Sequence, residues 1–87
     1  MTILEKAIET YGADLQKRVA IEEMAELTKE ICKDFRGSGN KERIIGEIAD
    51  VQIMLSQLMI IYDFKDWELS GEMARKLARL SERLKGE

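Results

Sequence analysis

Two pairs of acidic residues at three-residue spacing are the most chemically suggestive feature of this sequence. The segment IEEMAE contains Glu23 and Glu26, and the segment GEIAD contains Glu47 and Asp50. In a helix, residues i and i+3 lie on neighbouring turns of one surface, so each pair would present its carboxylates together. One Glu-x-x-Glu pair in a charged helix is usually a solvated face. The second pair makes the pattern informative.

The position of these acids matters more than their number. At 100° per residue, the second acidic pair shares its helix face with a stripe of apolar residues that should be buried, namely Ile44, Val51, Met54, Leu58 and Ile61. Glu23 likewise lies beside Val19, Ala20 and Leu27. Two such helices packed together would gather four carboxylates in one pocket.

A pocket of carboxylates predicts a bound divalent cation. Burying an unpaired carboxylate costs several kcal/mol, and neighbouring like charges raise each other's pKa. Ligands that offer only oxygen suit Mg²⁺ or Mn²⁺, and protein-bound Mg²⁺ usually also binds water and substrate phosphates. The chain has no histidine, which argues against a di-iron carboxylate bundle and a typical zinc site.

Four helices account for the whole chain as one domain, residues 1–87. Thr2 and Glu5 form a predicted capping box for a first helix that Gly12 ends. The second helix runs from about residue 13 to 35, and the third from an Asn40 N-cap to about residue 61. Asp63 or Asp66 is expected to cap the last helix. Four methionines at helical spacings are expected in the core, namely Met24, Met54, Met59 and Met73.

The composition supports an all-α fold and narrows the partners. There is no proline, and 45% of the residues are hydrophobic against 36% charged, which is typical of amphipathic helices. The net charge is −3, with basic residues scattered among acids, so nucleic acid is not an expected partner.

We expect no targeting segment and no membrane span, because the longest nearly apolar run, residues 51–62, is too short. The single Cys32 suits a reduced, cytoplasmic setting.

The same apolar run predicts self-association. The segment VQIMLSQLMIIY offers apolar side chains around almost its whole circumference, which is more than three other short helices would cover. We therefore expect a homodimer or a dimer of dimers.

These motifs resemble a known family. Glu22-Glu23-x-x-Glu26, then twenty residues, then Glu47-x-x-Asp50 is similar to the signature of the MazG-like all-α nucleoside triphosphate pyrophosphohydrolases, relatives of the dimeric dUTP pyrophosphatases. The resemblance covers about residues 20–61 and, more loosely, the last helix. It implies a four-helix MazG-like bundle that is oligomeric.

The resemblance also implies an activity and its residues. The reaction is cleavage of a nucleoside triphosphate, NTP or dNTP, by water to the monophosphate and pyrophosphate, as housecleaning of the nucleotide pool. Glu23, Glu26, Glu47 and Asp50 would bind Mg²⁺, or Mn²⁺, and form the catalytic centre, with Glu22 as a secondary acid. A Glu of the first pair is the favoured general base, although the sequence does not show which acid binds the metal and which accepts the proton.

Similarity to the family's last helix implies that Lys76 and Arg79, with Arg83 behind them, bind the distal phosphates. Glu72 and Lys76 also stand at i and i+4, so a surface salt bridge is an equal alternative. Other cations near the glycine loop are Lys29, Lys33 and Arg36. The sequence names neither the base nor the sugar of the nucleotide.

Two other functions remain open at this point. The chain would be a non-catalytic helical interaction module if the acids pair with Lys or Arg across a dimer interface. It would be a nucleotide-sensing regulatory subunit if it binds metal and nucleotide without turnover.

Overall fold

The chain folds into helices connected by short turns. The structure, a computed structural model, describes residues 1–86. Within this range there are four helices and no strand: α1 (Ile3–Tyr11), α2 (Ala13–Phe35), α3 (Lys41–Ile61) and α4 (Asp66–Lys85). The prediction of an all-α chain with four helices is confirmed.

The first three helices begin and end at residues that the sequence predicts. Thr2 Oγ1 accepts a hydrogen bond from the Glu5 backbone N–H at 3.1 Å, and the Glu5 carboxylate accepts one from the Thr2 N–H at 2.9 Å. Gly12 ends α1. Asn40 Oδ1 accepts from the Arg43 N–H at 3.0 Å and caps α3. These caps satisfy backbone donors that a helix leaves unpaired at its N-terminus.

The turn between α2 and α3 is a Schellman motif built on glycine. The Gly37 N–H donates to Asp34 O at 3.0 Å and the Ser38 N–H donates to Lys33 O at 3.0 Å. Gly37 has φ 86°, a value that favours glycine. Gly39 passes so close to Asp34 that an added Cβ would lie 2.9 Å from the Asp34 Cα. Both glycines are therefore needed to fold α3 back against α2.

The interface between α2 and α3 is a narrow stripe with few buried residues. On α2 the buried members are Gln16, Ala20 and Glu30, and on α3 they are Met54 and Gln57. Only Ala20 and Met54 are buried apolar residues among those described. The helix pair is thus held by an unusually polar and thin core.

One direct hydrogen bond crosses this stripe between buried side chains. Gln16 Nε2 donates to Gln57 Oε1 at 2.7 Å, and Gln57 Nε2 contacts the Met54 sulfur at 3.7 Å. A buried polar group without a partner costs about 1–3 kcal/mol, so any slide of α2 along α3 that separates the two glutamines is penalised. The pair therefore fixes the register of the two helices.

The prediction that the four methionines lie in the core is only partly confirmed. Met54 is buried and Met59 is half-buried. The prediction is wrong for Met24 and Met73, which are 40% and 53% exposed. Met24 lies beside the packed stripe rather than in it, and Met73 belongs to α4, which packs on no other helix of the chain.

The turn between α3 and α4 differs from the prediction. Neither Asp63 nor Asp66 caps α4, because Lys65 is its N-cap and the Glu68 carboxylate accepts from the Lys65 N–H at 2.8 Å. Asp63 instead ends α3 with φ 54°. Its N–H donates to Ile60 O and the Phe64 N–H donates to Met59 O, each at 3.2 Å. This is a second Schellman motif, with aspartate where glycine is commoner.

This turn directs α4 away from the other helices. No Cα of α4 lies within 8 Å of a Cα in α1, α2 or α3. The chain measures 48 × 36 × 19 Å, and its radius of gyration is 16.2 Å, against about 12 Å for a compact domain of this length. The described chain is therefore a three-helix unit with one projecting helix.

Helix α3 is also apolar enough, by length and composition, to cross a membrane. Its mean hydropathy reaches 1.6 over a window of 18 residues. Core helices of soluble proteins meet the same criterion. The most apolar window of this helix is only 11% buried within the chain, and Ile45, Ile48, Ile53, Leu55 and Ile60 are each 41–56% exposed.

We predict that Gln57→Ala lowers the free energy of unfolding by about 1–3 kcal/mol, because it leaves the buried Gln16 amide unpaired. Gln52→Ala, an exposed glutamine on the same helix, is the matched control and should change stability by less than about 0.5 kcal/mol. Urea unfolding measures both. Equal effects of the two substitutions would show that the glutamine pair does not hold the helices together.

Candidate metal centre

Three carboxylates from two helices meet midway along the α2–α3 pair. Glu23 of α2 and Glu47 and Asp50 of α3 each offer an oxygen, and these oxygens lie within 4.8 Å of one another. Glu23 is seven residues from Gln16, and Asp50 is seven residues from Gln57. The register that pairs the glutamines therefore also brings the acids together, two helical turns further along.

The cluster is neither fully exposed nor fully buried. Asp50 is exposed, whereas Glu23 and Glu47 are half-buried. Glu47 Oε2 is buried and has no hydrogen-bond partner among the described residues. A buried oxygen without a donor is rare in proteins, and a cation is one partner that would satisfy it.

No cation of the chain compensates these charges within residues 1–86. The ion pairs in this range join Glu30 to Lys33 at 3.2 Å, Glu82 to Lys85 at 3.2 Å, and Glu72 to Arg75. None includes a member of the cluster. No ion pair within the described residues therefore offsets the repulsion between the three carboxylates.

The electrostatic consequence is visible at Glu23. Desolvation raises the pKa of the Glu23 carboxyl above its usual value, and the nearby charges of Asp50 and Glu47 raise it further. A hydrogen bond with Asp50 and the charge of Glu26 add smaller contributions in the same direction. The folded protein therefore disfavours the ionised form of Glu23 until a cation is supplied.

The structure brings three of the four predicted acids together and leaves the fourth close by. Glu26 is exposed and is not one of the three acids whose oxygens converge, although its charge reaches Glu23. Glu22 is also exposed. Its place on the helix, 100° from Glu23, turns it away from α3.

The predicted phosphate-binding residues lie on the projecting helix. Lys76, Arg79 and Arg83 line an open depression of about 290 Å³. In place of the predicted alternative, a Glu72–Lys76 salt bridge, the structure shows Glu72 paired with Arg75. Since α4 approaches no other helix of the chain, the structure does not join these cations to the acids within one subunit.

Sequence reasoning missed three polar members of the buried stripe. Gln16, Glu30 and Gln57 are each less than 10% exposed. Gln16, Glu23 and Glu30 follow one another at seven-residue spacing, which places them on one face of α2. This spacing could have indicated that the three residues share a buried face. It was not used because polar residues are normally assigned to the solvated face of a helix.

These residues fit a hard divalent cation. All three converging ligands are carboxylate oxygens, which suit Mg²⁺ or Mn²⁺ better than zinc. The unpaired Glu47 oxygen supplies a ligand that nothing else in the described chain uses. The exposure of Asp50 leaves one side open to water or to a phosphate.

Comparison of the chain with protein-family models, with curated proteins and with solved structures finds no match.

We predict that Glu23→Gln raises the melting temperature by about 2–5 °C at pH 7 without divalent cations, since it removes one repelling charge. Because the folded pKa of Glu23 is raised, the wild type loses stability as pH rises through the glutamate range and regains it on acidification. The difference between the two proteins should therefore shrink toward about pH 4. Glu9→Gln, an exposed acid of α1, is the control and should not reproduce this pattern. A pH-independent difference would refute the repulsion.

Proposed function

We propose that this chain is a nucleoside triphosphate pyrophosphohydrolase of the MazG-like kind, dependent on Mg²⁺ or Mn²⁺. It hydrolyses the bond between the α and β phosphates and releases a nucleoside monophosphate and pyrophosphate, as housecleaning of the nucleotide pool. The observation that carries this proposal is the convergence of Glu23, Glu47 and Asp50 around an unpaired buried oxygen of Glu47. The reaction itself is inferred from the similarity of the acidic motifs to the MazG-like signature.

Glu23, Glu26, Glu47 and Asp50 would hold the metal ion, and through it the phosphates of the substrate. Glu23, Glu47 and Asp50 provide the inner ligands, and Glu26 lies one turn along α2 from Glu23 on the solvent side. When bound, a divalent ion would neutralise the polyphosphate charge, stabilise charge on the attacked phosphoryl group and lower the pKa of a water molecule. The fixed α2–α3 register keeps the ligands in place, so little reorganisation is needed on binding.

A general base must accept the proton of the attacking water from within hydrogen-bond reach. We propose a glutamate of the first pair, Glu23 or Glu26, for this task. Glu26 is exposed and free of any ion pair within residues 1–86. Glu22 is proposed only as a secondary acid, and Lys76, Arg79 and Arg83 as the cations that grip the distal phosphates.

We further propose that the protein works in the cytoplasm, self-associates as a homodimer or a dimer of dimers, and binds neither nucleic acid nor membrane. The net charge of −3 supports the exclusion of nucleic acid. Glu47 and Asp50 lie on α3, and a charged side chain at the centre of a membrane helix costs about 2.5–3.5 kcal/mol. Uncovered apolar surface on α3 therefore favours a protein partner over lipid.

A second candidate is a non-catalytic helical interaction module, which the large exposed apolar surface favours. In that case the acids would be neutralised by Lys or Arg of a partner. A nucleotide-sensing subunit would bind the metal and nucleotide without turnover. The effect of substitution at Glu47 separates these possibilities, because removing one member of a buried ion pair costs about 3–5 kcal/mol.

We predict that Glu47→Gln lowers kcat at least about 100-fold, a loss of about 2.7 kcal/mol in transition-state stabilisation, while the protein stays folded. The assay incubates canonical and modified nucleoside triphosphates with Mg²⁺ and quantifies monophosphate and pyrophosphate. Glu42→Gln, an exposed acid in the first turn of α3, is the matched control and should keep wild-type turnover.

Other results would overturn the assignment. Release of orthophosphate would indicate different chemistry. Absence of turnover across the panel, combined with loss of stability in Glu47→Gln, would identify an interaction module. Nucleotide binding without turnover would identify a sensor.

A further inference from the structure

Helix α3 contains a glycine that its own backbone does not require. Gly46 is the sixth residue of α3 (Lys41–Ile61) and is exposed. Glycine stabilises the interior of a helix less than alanine does, because it loses more backbone freedom on folding. Unlike Gly12 and Gly37, Gly46 has no positive φ. The backbone conformation at this position therefore does not favour glycine over alanine.

Packing within the chain does not explain this glycine either. A Cβ built on Gly46 would meet nothing within 4 Å. Gly39, by contrast, lies so close to Asp34 that an added Cβ would press on the Asp34 backbone. The free protein thus has room for a methyl group at Gly46. The close approach of a bound group to the helix backbone is a physical reason for glycine that remains.

Gly46 lies beside the acidic cluster. It directly precedes Glu47, and Asp50 follows it by four residues. Gly46 and Asp50 are therefore one turn apart along α3 and about 40° apart around it. Asp50 is the exposed member of the cluster. The bare backbone of Gly46 is accordingly on the side of the cluster that is open to solvent.

Glu26 lies across from Gly46 on the same open side. Helices α2 and α3 run antiparallel, and their register brings the carboxylates of Glu23 and Asp50 together. Glu26 is three residues further along α2, which corresponds to about three or four residues back along α3, the level of Gly46. Both Glu26 and Gly46 are exposed. Because Gly46 has no side chain, a gap is left between Glu26 and the α3 backbone.

The chemistry around this gap favours an uncharged group. Gly46 lies beyond the first turn of α3, where free N–H groups would attract a phosphate. The carboxylate of Glu26 repels a phosphate at short range. A sugar ring carries no charge, and its carbon atoms can pack on a helix backbone that has no side chain. In a nucleoside triphosphate the sugar adjoins the α phosphate, so phosphates held at the cluster bring it within reach of Gly46.

We propose that Gly46 is a specificity-determining residue, at which the sugar of a nucleoside triphosphate packs against the α3 backbone while the phosphates bind at the acidic cluster. This inference rests on the proposed function, because it requires the phosphates to bind at the metal centre. It assigns a residue of the chain to the nucleoside part of the substrate.

The test compares Gly46→Ala with Gly71→Ala. Gly71 is also an exposed glycine inside a helix, with nothing within 4 Å of an added Cβ, but it belongs to α4. Both substitutions should raise the melting temperature by about 2–6 °C, because alanine is the better helix former. Only Gly46→Ala should raise KM for nucleoside triphosphates, by at least about tenfold, because the methyl group occupies the place of the sugar.

Two further readouts separate a sugar contact from a general loss of the site. Inorganic triphosphate has no sugar, so its inhibition of the enzyme should be unchanged in Gly46→Ala, as should the affinity for Mn²⁺. Equal KM values for the wild type and Gly46→Ala overturn the inference. Weaker inhibition by inorganic triphosphate overturns it as well, since Gly46 would then adjoin the phosphates. Sedimentation altered by Gly46→Ala alone would assign the glycine to a protein contact instead.

Failure of the proposed function gives a different result. If the wild type binds nucleoside triphosphates with Mn²⁺ but does not hydrolyse them, the enzyme assignment fails, and the dissociation constant replaces KM with the same expected difference. If the wild type binds no nucleotide, both proposals fail. Turnover by the wild type with an unchanged KM in Gly46→Ala removes only the sugar contact.

Discussion

Repulsion between carboxylates placed inside a helix interface is the constraint on which the rest of this structure depends. Glu23, Glu47 and Asp50 converge within 4.8 Å without any compensating cation in residues 1–86. Burial and repulsion together cost stability that a thin core of two apolar residues can scarcely offset. Such an arrangement favours the binding of a cation. The proposed metal and the phosphates of the proposed substrate both follow from that preference.

The same constraint explains why the helix interface is so polar. Gln16 and Gln57 bond across the buried stripe at 2.7 Å, in the register that aligns the acids two turns away. Apolar residues at these positions would tolerate a slide of one helix along the other, whereas an amide pair does not. The glycine turn at Gly37 and Gly39 sets the same alignment from the other end. Stability and site geometry are thus specified by the same few contacts.

Much of the local structure could be predicted from the sequence, because caps depend on neighbouring residues. Thr2 and Asn40 act as predicted, and the acidic pairs occupy adjoining helices as their spacing indicates. The position of α4 could not be predicted, since it depends on Asp63 adopting a left-handed conformation that aspartate takes only in some turns. Likewise, periodicity shows that a helix has an apolar face but does not show whether its own chain or another covers it. Exposed Met24 and Met73 illustrate that difference.

Paramagnetic Mn²⁺ titration of isotope-labelled protein tests the central claim most directly. At substoichiometric Mn²⁺, amide signals from about residues 20–26 and 47–51 should broaden first, because the ion binds among their carboxylates. Signals around the exposed acids Glu9 and Glu82 should broaden only at higher concentrations. Broadening that spreads equally over all acidic surfaces would contradict the account, since the converging carboxylates would then hold no ion.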